Sequence, residues 1–499
     1  PTGWLTVRLI DVLTPRSERV SPQAMPNAPF IGMEHVEPHT NRILDFVLAS
    51  TMTSSAARFY EGDVLYGRMR PYLNKVASPS FDGLASAEFI VFPKSDVVES
   101  RFLLSRLSST DFTEFACAQY EGDRPRVKFD QLGAFWLNLP PVAEQIRIVD
   151  KLEELLSDLD AGVAELKAAQ RKLALLRQSL LKAVVEGALT ADWRAAQAQP
   201  TESGAALLQR ILTERRARWE RKQRDKYAAQ GKTPPKGWQS RYPEPVAPDT
   251  TGLPELPEGW VWASLDMLVA ESSYGTSVKC SYESKGTPVL RIPNISGGQL
   301  KLEGIKFASQ RLSLGPRDHL TVGDVLVIRT NGSIGLVGRA AALQAPLASN
   351  HYFASYLLRL RCVETEISHR WISMVLASPF GRRWIEVRAA SSAGQHNISL
   401  STLLTMPVPL PPALEQYQGL QSLDVALGDI ERLAAESSVS LRQSTAQRKN
   451  LLRAAFAGQL VPQDPNDEPA SALLARIRAA RAGQDGKGAK PRGRRPETA

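Results

Sequence analysis

The sequence predicts an α+β protein in which two mixed α/β domains are joined by two long antiparallel coiled-coil helices, the whole duplicated about a pseudo-twofold. Three observations predict it. Residues 139–190 align with 410–461 at a constant offset of 271 without a gap, and 17 of the 52 pairs are identical. Leu152, Leu159, Leu166, Leu173 and Leu180 recur every seven residues inside the first copy, a sustained heptad. The segments before each copy mix short apolar runs with turn residues, as mixed α/β domains do.

Residues 1–138 form the first such domain, with runs such as Phe89-Ile90-Val91-Phe92. Pro140-Pro141 breaks that pattern, and residues 139–190 carry the first conserved helix. Leu155, Gly162, Ala169, Leu176 and Ala183, three residues after the heptad leucines, are its expected companion positions. A helix over 142–186 would be about 65 Å long at ~1.5 Å per residue. Residues 191–256 hold a basic helix and a Pro-rich connector, and 257–409 a second mixed domain richer in Gly and Ser. Residues 410–461 are the second conserved helix, with Leu423, Ile430 and Leu451 in heptad register. Its middle places Ser437, Ser440, Ser444 and Gln447 where apolar residues are expected, so it needs a partner helix. Residues 462–499 read as a short helix and a disordered basic tail.

The duplication extends into the domains. Pro1-Thr2-Gly3-Trp4 resembles Pro257-Glu258-Gly259-Trp260, and Gly62-Asp63-Val64-Leu65 returns as Gly323-Asp324-Val325-Leu326. Leu207-Leu208-Gln209-Arg210-Ile211 reappears as Leu473-Leu474-Ala475-Arg476-Ile477. Here the offset drifts between 256 and 266, so framework is shared while loops differ in length.

Three scattered cysteines, Cys117, Cys280 and Cys362, exclude a disulfide framework or a paired-cysteine metal site. No apolar run reaches the ~20 residues of a membrane helix, and the start lacks a signal-peptide pattern, so a cytoplasmic protein without membrane partners is expected. The net charge of +9 is uneven: residues 210–241 carry 11 Lys/Arg against three acids, and 476–495 eight against one. Such an excess points to nucleic acid or another polyanion, against the plainer reading of solvated helix faces.

Antiparallel pairing of the two helices would create a pseudo-twofold matching the dyad of duplex DNA, with two unlike half-sites because the domains differ. The order of domain, helix, domain, helix resembles the specificity subunit of type I restriction–modification systems. Its marks are Pro-Glu-Gly-Trp at 257–260, Leu-Pro-Pro-x-x-Glu-Gln at 139–145 and 410–416, and Leu-Val-Pro-Gln-Asp-Pro at 460–465. The segments 62–75 and 323–333, each opening on Gly-Asp-Val-Leu, complete the set. The resemblance covers roughly residues 1–480 and implies two target recognition domains, each reading half of a bipartite double-stranded DNA site. It also implies that the helices hold two methyltransferase subunits, joined by two restriction subunits for cleavage. The methyl donor S-adenosylmethionine, ATP and Mg would then bind those partners, and no cofactor is expected in this chain.

The residues support a reader rather than a catalyst. An adenine methyltransferase needs [Asp/Asn/Ser]-Pro-Pro-[Tyr/Phe/Trp], whereas the prolines here sit in Leu-Pro-Pro-Val and Leu-Pro-Pro-Ala. Gly332, Gly335 and Gly338 have the wrong spacing for a dinucleotide loop, and no phosphate loop is present. His351, His369 and His396 lack partners at metal-ligand spacing. The competing readings are a methyltransferase-only or type II-like system's specificity subunit, a fused nuclease or methyltransferase, and a structural coiled-coil tether.

Candidate DNA contacts follow from side-chain chemistry. Arg68, Arg70, Tyr72, Asn74 and Lys75 crowd one segment, and Arg124, Arg126 and Lys128 another. In the second domain Arg329, Thr330, Asn331 and Ser333 align with the first cluster, and Gln395, His396 and Asn397 with Arg124, Pro125 and Arg126. Arg suits the guanine O6/N7 edge and Asn the adenine edge, each good pair giving ~1–3 kcal/mol of discrimination. Phosphate contact or a turn role competes at every position. The aligned Arg68 and Arg329 are expected to be framework or phosphate residues, since reading positions should differ.

Overall fold

The structure, a computed structural model, describes residues 3–120, 125–197, 202–315, 318–363 and 368–476. The chain divides into two compact units, residues 1–168 with 437–499, and residues 169–436. The division passes through both long helices, Val142–Val185 and Ala413–Phe456, of 44 residues each.

The first unit closes by pairing its first strand, Leu5–Arg8, antiparallel with Trp136–Leu139, so Leu5 faces Leu139. Between them lie a five-stranded sheet and a three-stranded sheet of Val76–Ala77, Val64–Gly67 and Phe89–Phe92. Every residue of Val64–Gly67 and Phe89–Phe92 is buried, which explains why these runs are continuously apolar rather than alternating. The second unit closes the same way, Val261–Ser264 against Pro407–Leu410 with Val261 facing Leu410. It holds two four-stranded sheets, one ordering Val269–Tyr274, Leu357–Cys362, Asp324–Ile328 and Ala340–Ala342.

The repeated Gly-Asp turn is framework. Gly62 and Gly323 sit at φ +84° and +94°, where a side chain would be strained. The carboxylate that follows is buried in both copies. Asp63 receives Arg16 and the backbone N–H groups of Tyr60 and Lys94. Asp324 receives Arg361 at 2.7 and 2.8 Å and the Thr321 N–H. That bond raises the Arg361 pKa above its ordinary value, while burial lowers that of neighbouring Arg359.

Inside each unit the two long helices run antiparallel. In the first, Leu152 and Leu156 cluster with Leu451, Leu452, Ala455 and Phe456. In the second, Leu181, Val184 and Val185 cluster with Leu420, Leu423 and Leu427. The heptad leucines lie in the seam, and of their expected companions Leu155, Gly162 and Ala183 are half-buried while two lie outside it. Ala169 is exposed and Leu176 is 49% exposed. The second line of the seam runs through Val149 and then, four residues after each heptad leucine, through Leu156, Val163, Gln170, Arg177 and Val184. At the same offset of 271 the other helix uses Leu420, Leu427, Ala434, Leu441, Arg448 and Ala455.

An apolar scan misses this line because Gln170, Arg177 and Arg448 belong to it. Their stems pack while their heads reach the rim. Arg177 meets Glu431 at 3.3 Å in the second unit, and the equivalent Arg448 meets the equivalent Asp160 in the first. The middle of the second helix is therefore stronger than its serines imply, since Leu427, Ala434 and Leu441 fill companion positions.

Candidate nucleic-acid interface

In the first unit the strand Val64–Gly67 runs into a turn whose conformation is set by Arg70 and Asn74, both left-handed at φ +50° and +44°. This turn meets the second polar segment through the backbone. Met69 bridges to Arg126, the Arg70 N–H donates to the Pro125 carbonyl at 2.9 Å, and the Val127 N–H to the Arg68 carbonyl at 3.0 Å. Two clusters more than 50 residues apart thus form one patch.

Their side chains divide by exposure. Arg70, Tyr72, Arg126 and Lys128 are exposed, Tyr72 at 45%. Arg126 pairs with Glu88 through Nε at 3.0 Å, and Arg68 lies 3.7 Å from the same carboxylate. Glu88 was not legible as part of the site; nothing in its sequence neighbourhood marks it. Asn74 is 6% exposed and its amide donates to the Ser108 carbonyl at 2.8 Å. Lys75 donates its ammonium to the Met33 carbonyl at 2.6 Å. These two hold the turn together rather than facing outward. Arg124 lies outside the described residues.

The second unit repeats the arrangement with other chemistry. Thr330–Asn331 pairs antiparallel with Gln395–Asn397, Thr330 facing Asn397 and Asn331 facing His396. The Ile398 N–H donates to the Arg329 carbonyl at 2.9 Å, the counterpart of Val127 on Arg68. Ala390–Ser392 adds a third strand, turned tightly at Ala393 and Gly394, both with positive φ. All of Ala390–Ser392 and Gln395 are exposed.

Arg329 donates through Nε to Asn397 Oδ1 at 3.1 Å and lies 4.9 Å from the ring centre of Tyr274, itself 46% exposed. Ser333 donates its N–H to Asn331 Oδ1 at 2.9 Å, so Asn331 shapes its own turn. Tyr274, Ser391 and Ser392 escaped sequence reasoning, although Tyr274 ends a strand just before Gly275.

The repeated motifs of the helix starts serve as anchors. Trp4 Nε1 donates to Glu144 Oε2 at 2.9 Å, and Trp260 Nε1 to Glu415 Oε2 at 2.9 Å. Glu415 Oε1 also accepts from Thr190 Oγ1 at 2.7 Å and Arg194 Nε at 2.9 Å. Gln145 ties the Glu99 N–H and the Val97 and Pro140 carbonyls together. Each polar patch is thereby carried on a domain clamped to a helix end.

Among the described residues, no group of three or more His, Cys, Asp or Glu is placed to hold a metal ion. No helix among them is long and apolar enough to cross a membrane.

No family model matches the chain. The chain is 31% identical over 223 residues to the type I restriction enzyme EcoDI specificity subunit of Escherichia coli, covering 44% of this chain and 50% of that one. It is 25% identical over 357 residues to the EcoKI specificity subunit of E. coli K12, covering 70% and 64%. The chain thus aligns with half to under two thirds of the length of these relatives. A chain solved in work on assembly and conformational transition of the type I restriction–modification system superposes at TM-score 0.64 and 20% identity. That match spans 92% of this chain and 99% of that one and shows the shared fold.

Proposed function

We propose that this chain, a member of the type I restriction enzyme specificity-subunit family, is the non-catalytic DNA reader of a restriction–modification complex. Each unit reads one half of a bipartite, asymmetric double-stranded site. One observation carries the reading: identical backbone contacts assemble a patch in each unit, yet the side chains displayed differ. Arg70, Tyr72, Arg126 and Lys128 face outward in one, and Gln395, Ser391, Ser392 and Ser333 in the other. Shared scaffolding with divergent polar display is what two unlike half-sites require. The helices scaffold two methyltransferase subunits and two restriction subunits, which supply S-adenosylmethionine, ATP and Mg chemistry in the cytoplasm.

The test is to map methylated adenines in cells carrying the chain with its methyltransferase. Residues 1–138 are then replaced by the corresponding domain of a relative. One half of the methylated sequence should change and the other persist. Methylation by this chain alone, or change in both halves, would refute the assignment.

A further inference from the structure

The basic helix Gly204–Ala229 is not absorbed by that assignment, and its mounting is informative. Its base belongs to the duplicated framework. The Gly204 N–H donates to the Gly259 carbonyl at 2.7 Å, as the Ala470 N–H does to the Gly3 carbonyl at 3.2 Å in the other unit. Leu207 and Ile211 are buried there, as are Leu473 and Leu474 in the counterpart. Beyond this base both copies turn basic, at 210–241 and at 476–495. The same charge at the same position in the sequence of both copies asks for a shared cause, beyond a solvated helix face.

The helix is fixed to the second domain by a knot. Arg215 donates to the Val269 carbonyl at 3.1 Å, to Tyr242 Oη at 2.6 Å and to Asp266 at 3.2 Å. Trp219 stacks on Trp238 at 5.7 Å and meets Tyr242 edge-on at 5.5 Å, pinning the connector. A cleft of about 500 Å³ between helix, connector and strand is lined by Arg218, Arg221, Lys222 and Arg361, with the carboxylates of Asp225 and Glu271, beside Trp219 and Tyr242. Helix residues 204–229 carry eight Lys/Arg against three acids. Arg210, Arg215 and Lys222 are paired outside the helix with Glu202, Asp266 and Glu271, whereas Arg221 shares Glu214 with Arg218 and Arg224 shares Glu220 with Arg216, so the surplus positive charge lies at those shared pairs.

Arg215 contacts Val269, and Lys222, about 10 Å further along the helix, pairs with Glu271 at 2.8 Å. Helix and strand Val269–Tyr274 therefore advance in the same sense, and the strand ends at Tyr274, against Arg329 of the reading patch. The exposed cations Arg221, Arg224 and Lys226 occupy the helix turns nearest that edge.

We infer that this helix is a second, sequence-independent DNA contact, gripping the phosphate backbone that flanks the half-site read by the second domain. The inference rests on the DNA-reading assignment, which the test below separates from it. Arginines and lysines on a rigidly held helix supply affinity and orientation by counterion release, without base selectivity.

The experiment compares the full chain, assembled with its methyltransferase subunits, with an R221Q/R224Q/K226Q variant. Affinity is measured against salt for a duplex carrying the methylated sequence and for one of equal length lacking it. Each cation removed from a phosphate should lower the slope of log affinity against log salt by about 0.9 and weaken binding about fivefold near 0.15 M salt, so the triple variant should lose between about 0.9 and about 2.7 in slope, and between about fivefold and on the order of a hundredfold in affinity. Both duplexes should weaken by the same factor while the methylated sequence stays unchanged, and an R221K/R224K variant should keep the slope. Unchanged slope and affinity would overturn the inference in favour of a merely solvated helix. Loss of the methyltransferase subunits on gel filtration would overturn it in favour of a protein-docking face. A wild-type complex without preference for its target duplex would defeat the recognition assignment instead, while the slope comparison would still decide on the helix.

Discussion

Replacing Glu415 by glutamine should destabilise the second unit far more than Glu144 to glutamine destabilises the first, although the motif is the same. Glu415 is 2% exposed and accepts from Trp260, Thr190 and Arg194, whose side chain is 26% exposed. Glutamine removes the charge that Arg194 faces and turns a donor toward Thr190 or Trp260. Breaking a buried pair costs about 3–5 kcal/mol, and partial exposure of Arg194 brings the expectation to about 2–3 kcal/mol.

Glu144, 1% exposed, uses one oxygen for Trp4 and leaves Oε1 buried without a hydrogen-bond partner among the described residues. Arg147 bonds Asp467 first and adds only a weaker charge attraction to Glu144. Glutamine keeps the Trp4 acceptor and removes a poorly compensated charge, so the change should stay within about 0.5 kcal/mol. Because two units need not unfold together, hydrogen exchange resolved by segment is the right assay. Amides of Val261–Ser264 should lose about thirty- to hundredfold protection in E415Q, taking 1.4 kcal/mol per decade, and those of Leu5–Arg8 should barely change in E144Q. Equal losses in the two variants would refute the reasoning.

The corrected seam predicts that Leu173→Ala costs about 2 kcal/mol or more, whereas Leu176→Ala, at a position 49% exposed, stays within about 0.5 kcal/mol by thermal unfolding. At the reading patches, Arg70→Ala and Gln395→Ala should each relax one half-site by about 1–3 kcal/mol in competition binding, leaving the other half intact. Asn74→Ala should instead lower stability by about 1–3 kcal/mol, because the Ser108 carbonyl loses its partner, with no change in the sequence methylated. Four residues inserted between Ala168 and Ala169 lengthen the helix by ~6 Å; methylome mapping should show the same half-sites one or two base pairs further apart.

What the sequence by itself determined is whatever is periodic, repeated or local. The two helices, their antiparallel pairing and the strand-like runs 64–67 and 89–92 follow from heptads, from the repeat and from apolar runs whose cause is local burial. The alignment of 395–397 with 124–126 also anticipated a real correspondence, since Asn397 and Arg126 make equivalent bridges. Tertiary structure alone decided the rest. The seam's second line passes through Gln170 and Arg177, whose packing depends on the facing helix and not on their own hydropathy. Trp4 finds Glu144 across 140 residues and Trp260 finds Glu415 across 155, so the most recognisable motif residues are anchors. Asn74 and Lys75 look like base readers in sequence but spend their donors on the Ser108 and Met33 carbonyls. Residue type states which hydrogen bonds a side chain can make; only the long-range packing of other segments states whether those bonds are already made, and so which polar groups remain to meet a partner.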